Sequence, residues 1–209
     1  MKKQKLLGVG TSYKTIKSEK VGVLTGILYM APYNLSGKNV CPNASAGCAA
    51  ACLNTSGRGA MHVVQAARLK KTQRFFADRQ QFLWDLVNEI RALKRKAQAR
   101  GMKAAVRLNG TSDLPYEKYK IGDTGKNIME LFPDIQFYDY TKIPTRKIQN
   151  IPNYHLTWSY SEANDKYSQY INEITDNIAV VFRGDMPVSF KGRKVINGDD
   201  YDMRFLDPN

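Results

Sequence analysis

Cysteine and histidine are scarce in this chain of 209 residues, with three of the first and two of the second. No run of about eighteen apolar residues occurs, which excludes a membrane-spanning helix. The Met1-Lys2-Lys3-Gln4-Lys5 start leads into only a brief apolar stretch before Gly8 and Gly10. A secretory leader is therefore not expected, and the chain reads as cytoplasmic. RNA-binding sheet motifs, zinc-finger spacings and basic zippers are all missing. Acidic residues are sparse in the first half: residues 1–100 hold 18 Lys and Arg against 4 Asp and Glu, and residues 101–209 hold 14 against 15. The net charge of +13 thus belongs to residues 1–100. A field of that sign favours a polyanion, nucleic acid or nucleotide first, and it also stabilises thiolates. Solvated Lys and Arg on helix faces are the plainer account of the same charge.

What cysteine there is lies in one place. Cys41, Cys48 and Cys52 fall within twelve residues in the pattern C-x6-C-x3-C. Thiolates prefer soft metals, and three of them converging can hold three irons of a cubane cluster and leave the fourth open. Pro42 and the Asn/Ser/Gly-rich interval to Gly47 predict an irregular loop, and Cys48-Ala49-Ala50-Ala51-Cys52 predicts the first turn of a helix. Residues four apart share a helix face, so Cys48 and Cys52 are expected to point together, with Cys41 approaching from the loop. Zinc is the main competitor, with His62 completing a four-ligand site. Buried inert thiols are a further reading, and an odd count argues against a disulfide framework.

The length suits a single core, so residues 1–20 read as a basic arm or short edge element and 21–209 as one α/β domain. Strands are expected at 21–30, 103–108, 135–140, 154–159 and 177–182, with short ones at 193–196 and 203–206. Helices are expected at 61–76, 78–100, 126–132 and 162–174. In the second of these helices Phe82, Leu86, Ile90, Leu93 and Ala97 recur every three or four residues. Strands alternating with crossovers predict a mostly parallel sheet. The chain is shorter than the roughly 250 residues of an eight-fold barrel, so a partial or compressed (β/α) TIM-like barrel is expected. Strand after strand ends in polar residues: Asn109 to Asp113, Asp139 to Lys142, Ser159 to Asn164, and Arg183. In parallel α/β folds such ends gather at one face, where chemistry is placed. The cysteine loop follows the first strand onto that same rim.

The runs Leu24 to Tyr29, Cys41-Pro42 to Cys52, Val106 to Asp113, Phe137 to Lys142 and Arg204 to Pro208 resemble a bacteriophage family, the "gene product eighty-eight" family, from about residue 10 onward. That family is similar to radical S-adenosylmethionine proteins, although the spacing here differs from their usual C-x3-C-x2-C. The resemblance implies a radical-SAM-like fold and a [4Fe-4S] cluster on Cys41, Cys48 and Cys52. It further implies S-adenosylmethionine on the open iron and radical chemistry on a nucleic acid or nucleotide. In that scheme Asp113, Asp139 and Lys142 are the candidate catalytic residues. Asn109, Thr111, Ser112, Arg107, Ser159 and Arg183 are candidate cofactor ligands, with Arg58 a further cation for anionic groups. Two other readings stay open: a zinc-binding protein that binds nucleic acid or modifies bases, and a phage accessory protein that blocks a host factor without catalysis.

Overall fold

The segment Val23–Leu28 (β2) is buried at every position, as a strand covered on both faces must be. The computed structural model describes residues 4–10 and 13–208 and places β2 second in a six-stranded sheet. Leu7–Val9 (β1) pairs antiparallel on its outer side. Lys103–Arg107 (β3), Gln136–Thr141 (β4), Tyr154–Ser159 (β5) and Ile178–Ala179 (β6) follow in chain order, each parallel to the strand before it. The helices are Tyr13–Lys20 (α1), Ala46–Ala50 (α2), His62–Ala77 (α3), Arg79–Gln98 (α4), Ile128–Leu131 (α5) and Asp165–Ile174 (α6).

The period-two pattern of the strands divides the core into two layers. On one face Leu24, Leu28, Val106, Leu108, Phe137 and Leu156 pack with Phe75 of α3 and with Phe82, Leu86, Ile90, Leu93 and Ala97 of α4. This is the stripe predicted for that helix. Asp78 begins α4 by accepting a hydrogen bond from the Gln81 amide at 2.9 Å, which satisfies one of the free N–H groups of the first turn. Phe75 is the hub of this layer, with Phe76, Phe82, Tyr116 and Tyr119 ring centroids 5.2 to 6.1 Å away. On the other face Val23, Ala105 and Tyr138 are covered by Met203, with Tyr201 and Phe205 beside it.

Several expectations are corrected. The sheet is open, with β1 and β6 at its edges, and no closed barrel forms. After β6 the chain supplies no further parallel strand: Ser189–Phe190 (β7) and Arg193–Lys194 (β8) make a separate hairpin. The segment expected as a strand near 203–206 is instead a short 3-10 turn, Arg204–Leu206, because Met203 is drawn onto the sheet face. β6 is two residues long, since its partner β5 ends at Ser159, opposite Ala179. Within residues 1–20, Leu7–Val9 is the edge strand of the sheet. Leu6 and Leu7 are buried, and their amides donate to the two oxygens of Glu89 at 2.7 and 2.8 Å.

Gly110 follows β3 where the chain crosses the end of β2, donating from its amide to the Leu28 carbonyl at 3.0 Å. A Cβ there would lie 2.7 Å from both Ile27 Cγ2 and Tyr29 Cδ1. Gly110→Ala is therefore expected to lose about 1–3 kcal/mol of stability, read from urea unfolding. An unchanged midpoint would show that β2 and β3 do not approach this closely.

Candidate functional site

Cys41 enters the rim from a loop that the ends of β2 and β3 hold in place. Thr111 Oγ1 donates to the Met30 carbonyl at 2.6 Å, and the Asp113 amide donates to the Val40 carbonyl at 2.8 Å. The Cys41 sulfur accepts from the Tyr33 amide at 3.5 Å and donates to the Thr111 carbonyl at 3.8 Å. Burial pushes the Cys41 thiol up to about 11, and the nearby Asp113, Cys52 and Cys48 act in the same direction. Cys48 and Cys52 thus each lie within electrostatic reach of Cys41. Cys41 and Cys52 are half-buried, Cys48 is exposed, and each is a free thiol.

Further along, the loop is tied across the sheet. Asn43 Nδ2 donates to the Lys142 carbonyl beyond β4 at 2.8 Å. Ser45 Oγ donates to Glu162 Oε1 beyond β5 at 2.6 Å and caps α2 by accepting from the Cys48 amide at 3.0 Å. Lys142 Nζ lies 3.9 Å from Glu162 Oε2. The helix ends sooner than the spacing predicts: Ala50 is its last residue, and Cys52 is extended at φ −62°, ψ 140°. Cys52 thus leaves the face that Cys48 occupies. The cause lies downstream, where buried Asn54 is gripped by Arg68 Nη1 at 2.6 Å and by Gln65 Nε2 at 3.1 Å.

Below the loop the strand ends form one buried polar network. Asn109 donates from its amide to Asp139 Oδ1 at 2.7 Å and from Nδ2 to Asp139 Oδ2 at 3.2 Å. Its own Oδ1 accepts from Ser112 Oγ at 2.9 Å and from the Leu114 amide at 2.8 Å. Asp113 accepts from Thr141 Oγ1 and from the Lys142 amide, both at 2.8 Å. Arg146 lies at the centre, donating to both oxygens of Glu117 at 2.7 Å and to Tyr154 Oη at 2.6 Å, with Asp113 Oδ1 at 3.3 Å. Tyr154 Oη in turn donates to Asp139 Oδ2 at 2.9 Å. Burial raises the Asp113 and Asp139 carboxyls, Asp139 to about 6, against the pull of these donors.

The structure therefore brings Asn109, Thr111, Ser112, Asp113, Asp139 and Lys142 together beneath the thiols. Asp113 and Asp139 have both oxygens occupied by donors from the protein, an arrangement that holds the loop. Lys142 is the member whose side chain reaches the rim. Arg107 does not join them: it lies on the opposite sheet face, paired with Asp202 and stacked over Tyr140 at 4.8 Å. The Ser159 carbonyl accepts from Tyr167 Oη at 3.0 Å, and Arg183 is exposed on the segment after β6. Arg58 is exposed in the 3-10 turn Gly57–Ala60, and His62 is exposed at the start of α3. Among the described residues no three His, Cys, Asp or Glu side chains stand at the spacing of a formed metal site.

The family model described as Gene product 88 matches residues 4–209. The chain belongs to the gene product 88 family of bacteriophage proteins. No curated protein and no solved structure matches it. Among the described residues no helix is long and apolar enough to cross a membrane.

Arg146, Glu117 and Arg68 escape a reading of the sequence by strand ends, although Arg68 carries a signal. Gln65, Arg68, Thr72 and Phe75 recur at three- and four-residue intervals, which puts Arg68 on the buried stripe of α3. Two measurements test the network. Arg146→Ala leaves Glu117 and Asp113 buried without their cation and is expected to lose about 3–5 kcal/mol, read from chemical denaturation. Burial pushes the Asp139 carboxyl up to about 6 in the folded chain, from an ordinary value of 3.8. The folded chain thus binds more protons between these values, and stability falls as pH rises through that window, by about 3 kcal/mol in all. Asp139→Asn removes this slope, so the wild-type-minus-variant difference should decline from pH 4 to 6 and then level. A flat difference would show that Asp139 ionises freely.

Proposed function

We propose that this family member binds an iron–sulfur cluster of the [4Fe-4S] type through Cys41, Cys48 and Cys52, and acts on a nucleic acid or nucleotide inside the infected host cell. The observation that supports it is the tie of the cysteine loop to the strand ends, Cys41 by the Thr111 carbonyl and the rest of the loop by Lys142 and Glu162, above a hydrogen-bonded network. The donors suit in type, since soft thiolates prefer iron in such clusters. Cys41 would be the anchored ligand, and Cys48 and Cys52, on a five-residue helix and an extended segment, would complete the set. A bound cluster with three protein ligands supplies single electrons at an open iron, the position that S-adenosylmethionine takes in radical enzymes. The parallel order of β2 to β6 places their C-terminal ends on one side of the sheet, the side where α/β folds hold their substrates.

The residues divide the work. Asp113, Asp139, Asn109, Ser112 and Thr111 fix the floor and the entry of Cys41. Lys142 and Glu162 clasp the far side of the loop, and the Lys142 ammonium supplies positive charge at the rim for an anionic group. The basic first half supplies the long-range attraction for a polyanion.

Anaerobic reconstitution with ferrous iron and sulfide tests the reading. The expected product is a brown protein with about four irons per chain, and replacement of all three cysteines by serine abolishes it. A colourless protein that retains one zinc through the same cysteines would overturn the cluster and favour a zinc site. Affinity for single-stranded DNA or RNA should fall steeply with salt if the basic half binds phosphates, and a salt-independent affinity would reject that partner.

A further inference from the structure

Three acidic residues fall between positions 61 and 100, and the fold uses every one of them internally. Asp78 caps α4 at the Gln81 amide, Asp85 is buried and paired with Arg74, and Glu89 accepts from the Leu6 and Leu7 amides with its two oxygens. The basic residues in the second half of α4 turn the other way. Arg91, Arg95, Lys96 and Arg100 are all exposed. Arg91 reaches only the neutral Asn88 side chain, at 3.3 Å, and Arg100 lies 3.5 Å from Glu19 Oε2. Among the described residues no carboxylate pairs with Arg91, Arg95 or Lys96, whereas half-buried Lys94 is paired with Asp134 at 2.5 Å.

The buried stripe of α4 puts Arg91 and Arg95 on the side of the helix opposite the core, with Lys96 and Arg100 flanking them. From Arg91 to the turn at Arg100 this face runs about 14 Å. The dipole at the carboxyl end of the helix keeps Arg95 and Lys96 stable there without an acidic partner. A phosphodiester backbone matches such a face, because its charges are closely and regularly spaced and guanidinium forks seat on phosphate oxygens. The position of the face narrows the partner further. Since α4 ends where β3 begins, the patch lies at the amino-terminal ends of the parallel strands, and the cysteine rim lies at the other ends. A five-residue strand such as β3 is about 17 Å long, so a free nucleotide is too short to touch both places. A polymer of nucleotides spans them.

We propose that the outer face of α4 around Arg91, Arg95, Lys96 and Arg100 is a docking surface for a nucleic-acid backbone, remote from the rim, and that the partner is a polymer and not a free nucleotide. This rests on the nucleic-acid part of the reading above and is independent of any metal.

The test measures binding of duplex DNA and of single-stranded RNA, each about twenty nucleotides long, over a range of salt concentrations. It compares wild type with a patch variant, Arg91→Gln with Arg95→Gln and Lys96→Gln, and with a control of the same net charge, Lys118→Gln with Lys126→Gln and Lys147→Gln, whose positions are exposed elsewhere on the chain. The patch variant should flatten the slope of log K against log salt by about 2 to 3, while the control keeps a slope near that of wild type. Adenosine monophosphate in excess should fail to displace the polymer. A loss of slope on one polymer alone would name that polymer as the partner. Equal losses in the two variants would show that net charge alone attracts the polymer and would overturn this proposal while leaving the nucleic-acid reading intact, and displacement by the mononucleotide would overturn the polymer assignment. A wild-type chain that binds neither polymer, or binds only vesicles of anionic phospholipid, would overturn both.

Discussion

The buried guanidinium of Arg146 is the contact on which the rim depends. It joins Glu117, Asp113 and Tyr154, and through Tyr154 it reaches Asp139. Those groups come from the segment after β3, from β4 and from the start of β5, so one side chain links three neighbouring strands. Burial raises the Asp139 carboxyl to about 6 against the pull of Arg107, Arg146 and the donors it accepts from. The cluster is held in place because the acceptor oxygens of Asp113 and Asp139 are filled by donors from the loop and strands they secure.

From that network the order passes outward. Asp139 fixes Asn109, Asn109 folds the turn that carries Ser112 and Leu114, and the Asp113 amide donates to the Val40 carbonyl next to Cys41. Cys41 is thus the best-anchored thiol, and Cys48 and Cys52 lie on short elements that borrow their order from Glu162 and Arg68. The order of the site is graded in the same direction, from a floor of buried groups with filled hydrogen bonds to a loop of short elements.

The strands and long helices were legible because their periodicity is local. The stripe of α4 and the fully apolar β2 each announce which faces are covered. The polar strand ends were legible as a group for the same reason: the parallel arrangement that the crossovers imply gathers them without any further information. Arg107 was misread because alternation along β3 places it on the other face, and only Asp202, almost a hundred positions away, shows what it answers. The helical turn at Cys48 ends two residues sooner than the spacing predicts, and nothing near it in sequence reveals that Arg68 holds Asn54 inward.

The sequence by itself determined an α/β chain with parallel strands, one amphipathic covering helix, a concentration of thiols on a loop after an early strand, and a positive first half. Each of these follows from the chemistry of neighbouring residues. Only the tertiary structure decided that the sheet stays open, that the C-terminal segment covers its second face, and that Arg68 is buried against Asn54. Those outcomes depend on which distant groups meet, and burial gives a charge or a hydrogen bond its consequence only after they have met.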